Sequence, residues 1–299
     1  MNMLQINGLY KKFGDKEVLK GLNLTVPEHS IYGFIGKNGS GKTTTMKTVL
    51  GLLKADAGEI SVNGEKAVYG QTATNRYIGY LPDVPEFYPF MTAEEFLRFC
   101  GGITGMDKTE TEERIKELLL LVGLSEEKHR IKGFSRGMKQ RLGIAQALLN
   151  KPKLLICDEP TSALDPVGRK EILDILLAVK EQTTVLFSTH ILSDVERICT
   201  DVAFLNNGEI TVCGKLNDIK TKYRREEYQI ETEKEEDVNL FIKNFPNAKQ
   251  TGANKIVFKE GTHTVFDLMR FAADNKISLL KLEHVEPTLE DLFMEVTEK

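Results

Sequence analysis

The sequence predicts an α/β fold, with a parallel-sheet core in residues 1–220 and a small α+β domain in residues 221–299. Three observations lead to this prediction. The apolar run 31–35 leads directly into a glycine-rich loop, and a helical pattern of apolar residues follows at 43–53. Two later apolar runs end in polar groups, as buried strands do at the ligand-binding edge of a parallel sheet. From residue 223 the chain becomes markedly more charged.

The glycine-rich loop matches the phosphate-binding pattern G-x-x-x-x-G-K-[ST] at every fixed position. Its glycines let the backbone bend around an anion, and the N-terminus of the next helix adds a partial positive charge. Lys42 is expected to reach the β- and γ-phosphates of a nucleoside triphosphate, and the Thr43 hydroxyl to bind Mg²⁺. The residues predicted to bind the triphosphate here are Gly36, Lys37, Asn38, Gly39, Ser40, Gly41, Lys42, Thr43 and Thr44.

The composition is that of an ordinary globular protein and excludes several functional classes. A charged fraction of 28% and a net charge of −4 give no basic field for nucleic acid. The four cysteines have no metal-ligand spacing, which favours reduced thiols in a cytosolic protein. No run approaches the roughly 20 apolar residues that cross a bilayer, and the N-terminus has no secretory signal pattern. Any membrane association is therefore expected to come through a partner.

The segments around the loop have strand patterns. Strands are predicted at residues 3–9, 17–26, 60–62 and 77–81. Phe13 precedes the turn between the first two strands and could stack on a nucleotide base, although its residue type alone favours an ordinary packed aromatic. After the fourth strand comes a stiff connector, residues 82–86, which contains two prolines and Asp83.

Residues of about 90–150 are predicted to form a helical insert. Thr92 and Glu95 have the spacing of a capping box at the start of one helix. Apolar residues at helical spacing mark a second helix, and this pattern favours core packing over docking. A third helix is expected to start at Ser135, whose side chain can cap it. Taken alone, this segment is no more than a capped helix start.

The apolar run 154–157 ends in Asp158 and Glu159. At the carboxyl end of a buried strand, Asp158 is placed to hold the Mg²⁺ of the bound nucleotide, and Glu159 to act as general base for an attacking water. The connector 161–166 leads into a helix predicted at 168–181. A strand predicted at 184–189 ends at His190, which is expected to contact the γ-phosphate instead of being an ordinary loop residue.

In their order along the chain, these motifs resemble the ATP-binding subunits of ATP-binding-cassette (ABC) transporters over about residues 1–215. The resemblance depends on the phosphate loop, S-R-G-M-K-Q-R, L-L-I-C-D-E-P-T, S-A-L-D and S-T-H. It implies a phosphate-loop NTPase core with an antiparallel β subdomain and a helical subdomain. It also implies ATP and Mg²⁺ as cofactors, with Glu159, His190 and Lys42 as catalytic residues.

The resemblance further implies a head-to-tail dimer, formed with a second copy or a paired nucleotide-binding subunit, that encloses two ATP molecules. Ser135 and Gly137 would contact the γ-phosphate held by the other subunit. Asp165 would lie across the interface, and Phe13 would be the base-stacking aromatic after all. The signature motif, which is implied to act in trans, consists here of Ser135, Arg136, Gly137 and Met138.

Two positions depart from the family pattern. Arg136 stands where the signature has the first of two glycines, and this variant resembles an exporter branch that includes drug, peptide-antibiotic and ion efflux ATPases. Asp83 stands where the family has a glutamine that contacts Mg²⁺ or the attacking water and senses the membrane partner. A carboxylate can approach Mg²⁺ or accept from water, but it cannot donate a hydrogen bond. Mg²⁺-dependent hydrolysis is therefore expected to be retained, while the coupling role of Asp83 stays open.

The final segment has the pattern of a ferredoxin-like βαββαβ unit followed by one more helix. Its elements are predicted at residues 227–232, 236–244, 247–251, 255–259, 264–274, 277–285 and 288–297. The resemblance is to the C-terminal extension of exporter-type ATPases, and a role in dimer contacts or regulation is the hypothesis.

The leading hypothesis is an ATP-hydrolysing motor subunit at the cytoplasmic face of a membrane, which drives export of a small molecule, peptide antibiotic or ion through separate permease subunits. One alternative is a soluble ATP-driven switch that acts on a non-membrane target. Another is an ATP sensor without hydrolysis, which the presence of Glu159 and His190 disfavours.

Overall fold

We describe the protein from a computed structural model, which covers residues 2–223, 227–285 and 288–297, without the side chains of 295–297. The chain forms two compact units, of which the first runs to Asn217 and the second is Asp218–Glu295. The strands of the first unit are β1 (Asn2–Phe13), β2 (Lys16–Pro27), β3 (Ile31–Ile35), β4 (Ala57–Val62), β5 (Glu65–Lys66), β6 (Ile78–Leu81), β7 (Leu154–Asp158), β8 (Thr184–Thr189), β9 (Asp201–Asn206) and β10 (Glu209–Lys215).

Helices surround these strands. They are α1 (Lys42–Val49), α2 (Ala93–Ile103), α3 (Lys108–Leu121), α4 (Arg136–Leu148), α5 (Pro166–Val179) and α6 (Leu192–Ile198). Helix α7 (Leu216–Lys222) follows in sequence and begins at the end of the first unit. The predicted capping box at α2 is confirmed, because Thr92 Oγ1 accepts from Glu95 N at 3.2 Å and Glu95 Oε2 accepts from Thr92 N at 2.9 Å. The predicted helical insert corresponds to α2, α3 and α4.

The centre of the first unit is a sheet in the order β10-β9-β3-β8-β7-β6. The pairs from β9 to β6 are parallel, and β10 is antiparallel to β9. Strands β3, β7 and β8 are buried along their whole length, as strands of a parallel sheet are when helices cover both faces. Because parallel strands end at one edge, the segments that follow β3, β7 and β8 meet there.

A second, antiparallel sheet has the order β2-β1-β4-β5. Its long hairpin of β1 and β2 turns between Phe13 and Lys16, which are paired in the register. Alternating buried side chains from both strands, among them Leu4, Leu22 and Leu24, pack in one core with Phe34 of the central sheet. This sheet is the antiparallel subdomain that the family resemblance implied.

Two features of the helices differ from the sequence predictions. Helix α5 begins at Pro166, two residues before the predicted start, with Asp165 as its N-cap. Proline suits the first helical position because its fixed φ fits the helix and its missing N–H would have no helical partner there. Helix α6 was not predicted, because it spans only seven residues and its N-cap, Ile191, makes no side-chain capping bond.

The second unit contains β11 (Glu227–Thr232), α8 (Glu235–Asn244), β12 (Ala248–Gly252), β13 (Lys255–Lys259), α9 (Val265–Asp274), β14 (Leu279–His284) and most of α10 (Leu289–Thr297). Its sheet is antiparallel, in the order β12-β13-β11-β14. A core that includes Ile230, Phe241, Phe258 and Leu268 joins the sheet to α8 and α9. The order of elements and strands is that of the predicted ferredoxin-like unit.

In the described segments, no helix combines the length and the apolar character that crossing a bilayer requires.

Candidate active site

A cavity of about 380 Å³ lies among the segments that follow β3, β7 and β8. Its lining combines the phosphate loop with the acidic and histidine-containing strand ends. The lining residues are Val18, Asn38, Gly39, Gly41, Lys42, Thr43, Thr44, Asp83, Asp158, Glu159, Ser162 and His190. Nine of these were predicted as triphosphate, metal or catalytic residues from the phosphate loop and strand ends; Asp83 was predicted from the family resemblance, and Val18 and Ser162 were not predicted.

Two glycines of the phosphate loop, Gly36 and Gly41, occupy positions where a side chain would collide with neighbouring atoms. A Cβ at Gly36 would lie 2.5 Å from Ser40 Oγ and 2.7 Å from Leu205 O, so no larger residue fits. Gly41 has φ 113°, and a Cβ there would lie 2.7 Å from Leu19 Cδ2. The loop can therefore turn closely around a ligand while the strand before it stays packed.

Lys42 is folded into this loop and is 6% exposed. Its Nζ donates to Gly36 O at 2.6 Å and to Lys37 O at 3.3 Å. Ser40 lies two residues before Lys42, and its Oγ is buried without a hydrogen-bond partner. Buried polar atoms normally have partners, and a phosphate oxygen would supply one to this hydroxyl.

Asp158 is held from two sides at the end of β7. Thr43 Oγ1 donates to Asp158 Oδ2 at 2.7 Å, and Ser188 Oγ donates to Asp158 Oδ1 at 2.7 Å. Glu159 N donates to Ser188 Oγ at 3.0 Å. Ser188 thus fixes both neighbouring acids, and our sequence analysis gave it no role. The signal that could have found it is the pairing of the two parallel strands, which sets Ser188 beside Asp158.

The residues here fit a nucleotide-borne Mg²⁺ better than a resident metal. Among the described residues, no group of three or more histidine, cysteine or acidic side chains forms a metal site by itself. Thr43 and Asp158 together offer one hydroxyl and one carboxylate in direct contact. Mg²⁺ typically takes one or two protein oxygens and completes its shell with phosphates and water, which suits this pair.

Glu159 connects the phosphate loop to His190. Its side chain is 13% exposed, and His190 Nδ1 donates to Glu159 Oε2 at 2.9 Å. Lys42 Nζ lies 3.1 Å from Glu159 Oε1 as an ion contact without hydrogen-bond alignment. The backbone of Glu159 has φ 49°, in the left-handed region that residues other than glycine rarely adopt. A carboxylate held in this way, beside a lysine, is suited to accept a proton from water.

Asp83 reaches the same cavity from the connector after β6. Burial raises the pKa of its carboxyl group, and the Arg136 guanidinium opposes that rise. Asp83 Oδ1 is buried without a hydrogen-bond partner and lies 3.7 Å from Arg136 Nη2. This contact connects the two positions at which the sequence departs from the family pattern.

The remaining predicted residues do not line this chain's own cavity. Ser135 caps α4 by accepting from Met138 N at 3.2 Å, and Asp165 caps α5 by accepting from Gly168 N at 3.0 Å. Ser135 and Asp165 are both exposed, so a neighbouring subunit can reach them. Phe13 is 51% exposed at the tip of the β1–β2 hairpin, whose Val18 does line the cavity.

Together, a phosphate loop, a carboxylate–hydroxyl pair and a largely buried glutamate at the edge of a parallel sheet define a phosphate-loop nucleoside triphosphatase. The sequence model described as "ABC transporter" matches residues 19–162, and the one described as "ATP-binding protein DrrA1-3-like, C-terminal domain" matches residues 214–297. The chain belongs to the ABC transporter family as one of its ATP-binding proteins, and it is therefore an ABC ATPase.

Individual ABC transporter ATP-binding proteins are similar to this chain over nearly its whole length. The uncharacterized ABC transporter ATP-binding protein YxlF of Bacillus subtilis is 40% identical, over 98% of this chain and 99% of its own length. The bacitracin transport ATP-binding protein BcrA of Bacillus licheniformis is 35% identical, over 98% of this chain and 97% of its own. A solved ATP-binding subunit of an ABC transporter superposes with a TM-score of 0.66 at 34% identity, over 74% of this chain and 93% of its own. These matches give no support to a non-membrane target.

Proposed function

We propose that this chain drives export of a small molecule, peptide antibiotic or ion through separate permease subunits, by hydrolysing Mg²⁺·ATP in the cavity described above. The observation that carries this proposal is the junction of Lys42, Glu159 and His190 beside the phosphate loop. The direction of transport is supported by the exporter-like signature sequence, and the class of cargo by similarity to a bacitracin transport protein.

Each residue of the junction has a distinct task. Lys42 binds the β- and γ-phosphates, exchanging its contacts with backbone carbonyls for phosphate oxygens. Glu159 takes the proton of the attacking water, and its hydrogen bond to His190 fixes the direction of the carboxylate. His190, which is 46% exposed at the end of β8, is the group expected to contact the γ-phosphate.

Thr43 and Asp158 would hold Mg²⁺, with Asp83 as a further oxygen ligand from the opposite connector. Bound there, Mg²⁺ would supply positive charge that offsets the charge of the phosphates. The Ser188 hydroxyl keeps Asp158 oriented for this role through its bond to Oδ1.

We further propose that two copies close head to tail, so that each cavity is completed by the partner's signature. In this arrangement Ser135 and Gly137 contact the γ-phosphate of the other subunit, with Arg136 and Met138 beside them. Their place at the exposed N-terminus of α4 supports this, since a helix N-terminus attracts phosphate. Asp165 lies in the same dimer interface.

The permease is expected to dock on an exposed apolar surface next to Asp83. We call this surface the docking patch and define it as Val84, Tyr88, Phe90, Phe99 and Ile103. Tyr88 contacts Phe90 and Phe99, with ring centroids 5.8 and 5.5 Å away. Exposed apolar groups that cluster in this way mark interaction sites. Docking here would hold the chain at the cytoplasmic face of the membrane.

Replacing Tyr88 and Phe90 together with serine is expected to abolish co-purification with the membrane permease subunits. Both side chains are about half exposed or more, so the fold should persist, with a modest fall in melting temperature from the lost ring contacts. The matched control is Tyr69→Ser, which removes an aromatic that is 57% exposed outside the patch and should leave co-purification intact. Full recovery of the permease with the Tyr88→Ser/Phe90→Ser protein would contradict this docking surface.

A further inference from the structure

Asp83 and Arg136 each depart from the family pattern, and they lie side by side in the same subunit. Arg136 Nη2 is 3.7 Å from Asp83 Oδ1, and both side chains are 48% exposed. The family pattern has an uncharged residue at each position. Here, instead, a carboxylate lines the cavity and a guanidinium lies beside it.

The carboxylate of Asp83 creates an electrostatic problem for an ATP site. It lines the cavity together with Asp158 and Glu159, so three acids face a strongly anionic ligand. Among the lining residues, Lys42 supplies positive charge against these three carboxylates. Both other acids raise the pKa of Asp83 further, after the larger effect of burial, and the Arg136 charge lowers it. Arg136 therefore acts against the repulsion that the third carboxylate introduces.

Helix α4 fixes this arrangement through a second residue, Gln140. Gln140 is 1% exposed, and its Nε2 donates to Asp83 O and to Pro160 O, both at 3.2 Å. Arg136 and Gln140 are four residues apart and so lie on the same side of the helix. Gln140 therefore joins helix α4 to the backbone of Asp83 and to the backbone of Pro160, the residue after Glu159.

We propose that Arg136 is a positioning residue for Asp83 in its own subunit's ATP site, and that the two unusual residues compensate each other. Arg136 offsets the charge of Asp83 and holds the carboxylate where it can face nucleotide-bound Mg²⁺. The signature segment then acts in cis through Arg136 as well as in trans through Ser135. This inference rests on the proposed role of Asp83 beside the phosphates.

A double-mutant cycle on Mg²⁺·ATP binding tests the inference, with Arg136→Gln and Asp83→Asn as neutral replacements of similar size. In isothermal titration calorimetry on the full chain, Arg136→Gln alone should weaken Mg²⁺·ATP binding about fivefold, the upper range for one partly exposed charge pair. In the Asp83→Asn background, Arg136→Gln should weaken Mg²⁺·ATP binding less than about twofold, because the charge on residue 83 that repels ATP has already been removed. Mg²⁺·ADP should respond less than Mg²⁺·ATP, since it lacks the γ-phosphate.

Two controls separate this role from a structural one. Arg136→Lys retains the charge and should bind Mg²⁺·ATP within about twofold of the wild type. The exposed pair Glu59–Lys66, neutralised as Glu59→Gln/Lys66→Gln, should leave binding unchanged. Equal weakening by Arg136→Gln in both backgrounds, or none in either, would overturn the inference while leaving the proposed function intact. Failure of the wild type to bind Mg²⁺·ATP would overturn both.

Discussion

Replacing Glu159 with glutamine is expected to lower steady-state ATP hydrolysis by about 10²–10⁴-fold, the range that a positioned general base contributes. Glutamine has nearly the same shape and can still accept from His190 through its amide oxygen, so the surrounding site should persist. It cannot take a proton from water, and the measured loss should therefore fall on kcat. The assay is phosphate release with Mg²⁺·ATP by the protein bound to its permease.

The matched control for this substitution is Glu181→Gln, at a side chain that is 81% exposed just after α5. This variant should hydrolyse ATP at the wild-type rate. If Glu159→Gln retained more than about a tenth of the wild-type rate, general-base catalysis by Glu159 would be wrong.

Replacing Lys42 with alanine is expected to weaken Mg²⁺·ATP binding by about 100-fold or more, because charged hydrogen bonds to two phosphates are lost together. Lys42 is nearly buried, so no other lysine can occupy its place without rebuilding the loop. Isothermal titration calorimetry with the isolated chain measures this directly, and it does not depend on the permease.

Lys47→Ala is the control for Lys42→Ala, since Lys47 is exposed on the same helix α1. It should leave the affinity for Mg²⁺·ATP unchanged. A thermal melt of each variant checks the fold, because Lys42 also donates to Gly36 O and Lys37 O. Near-normal ATP affinity in a folded Lys42→Ala protein would mean that the cavity described here is not where phosphate binds.

Much of this fold could be predicted because its signals are local. The glycine spacing before Lys42 specifies a loop geometry, and the apolar run that ends in Asp158 specifies a buried strand. The ferredoxin-like order of the second unit followed from short strands and helices of ordinary length. In each case the residues that determine the structure are close in sequence.

The features that sequence analysis missed depend on neighbours distant in the chain. Ser188 contacts Asp158 because two strands that are 30 residues apart pair in parallel. The contact of Asp83 with Arg136 joins a connector to a helix start 53 residues later. Neither contact has a pattern in the sequence: the first arises when β7 and β8 pair, and the second when helix α4 packs beside the connector after β6.

If ATP joins two copies of this chain and hydrolysis releases them, a variant that binds ATP without hydrolysing it should remain a dimer. Static light scattering on the Glu159→Gln protein with Mg²⁺·ATP, and again with Mg²⁺·ADP, tests it most directly. We expect twice the subunit mass of 33.7 kDa with ATP and a single subunit with ADP. A single subunit under both conditions, at ATP concentrations that saturate the site, would contradict it.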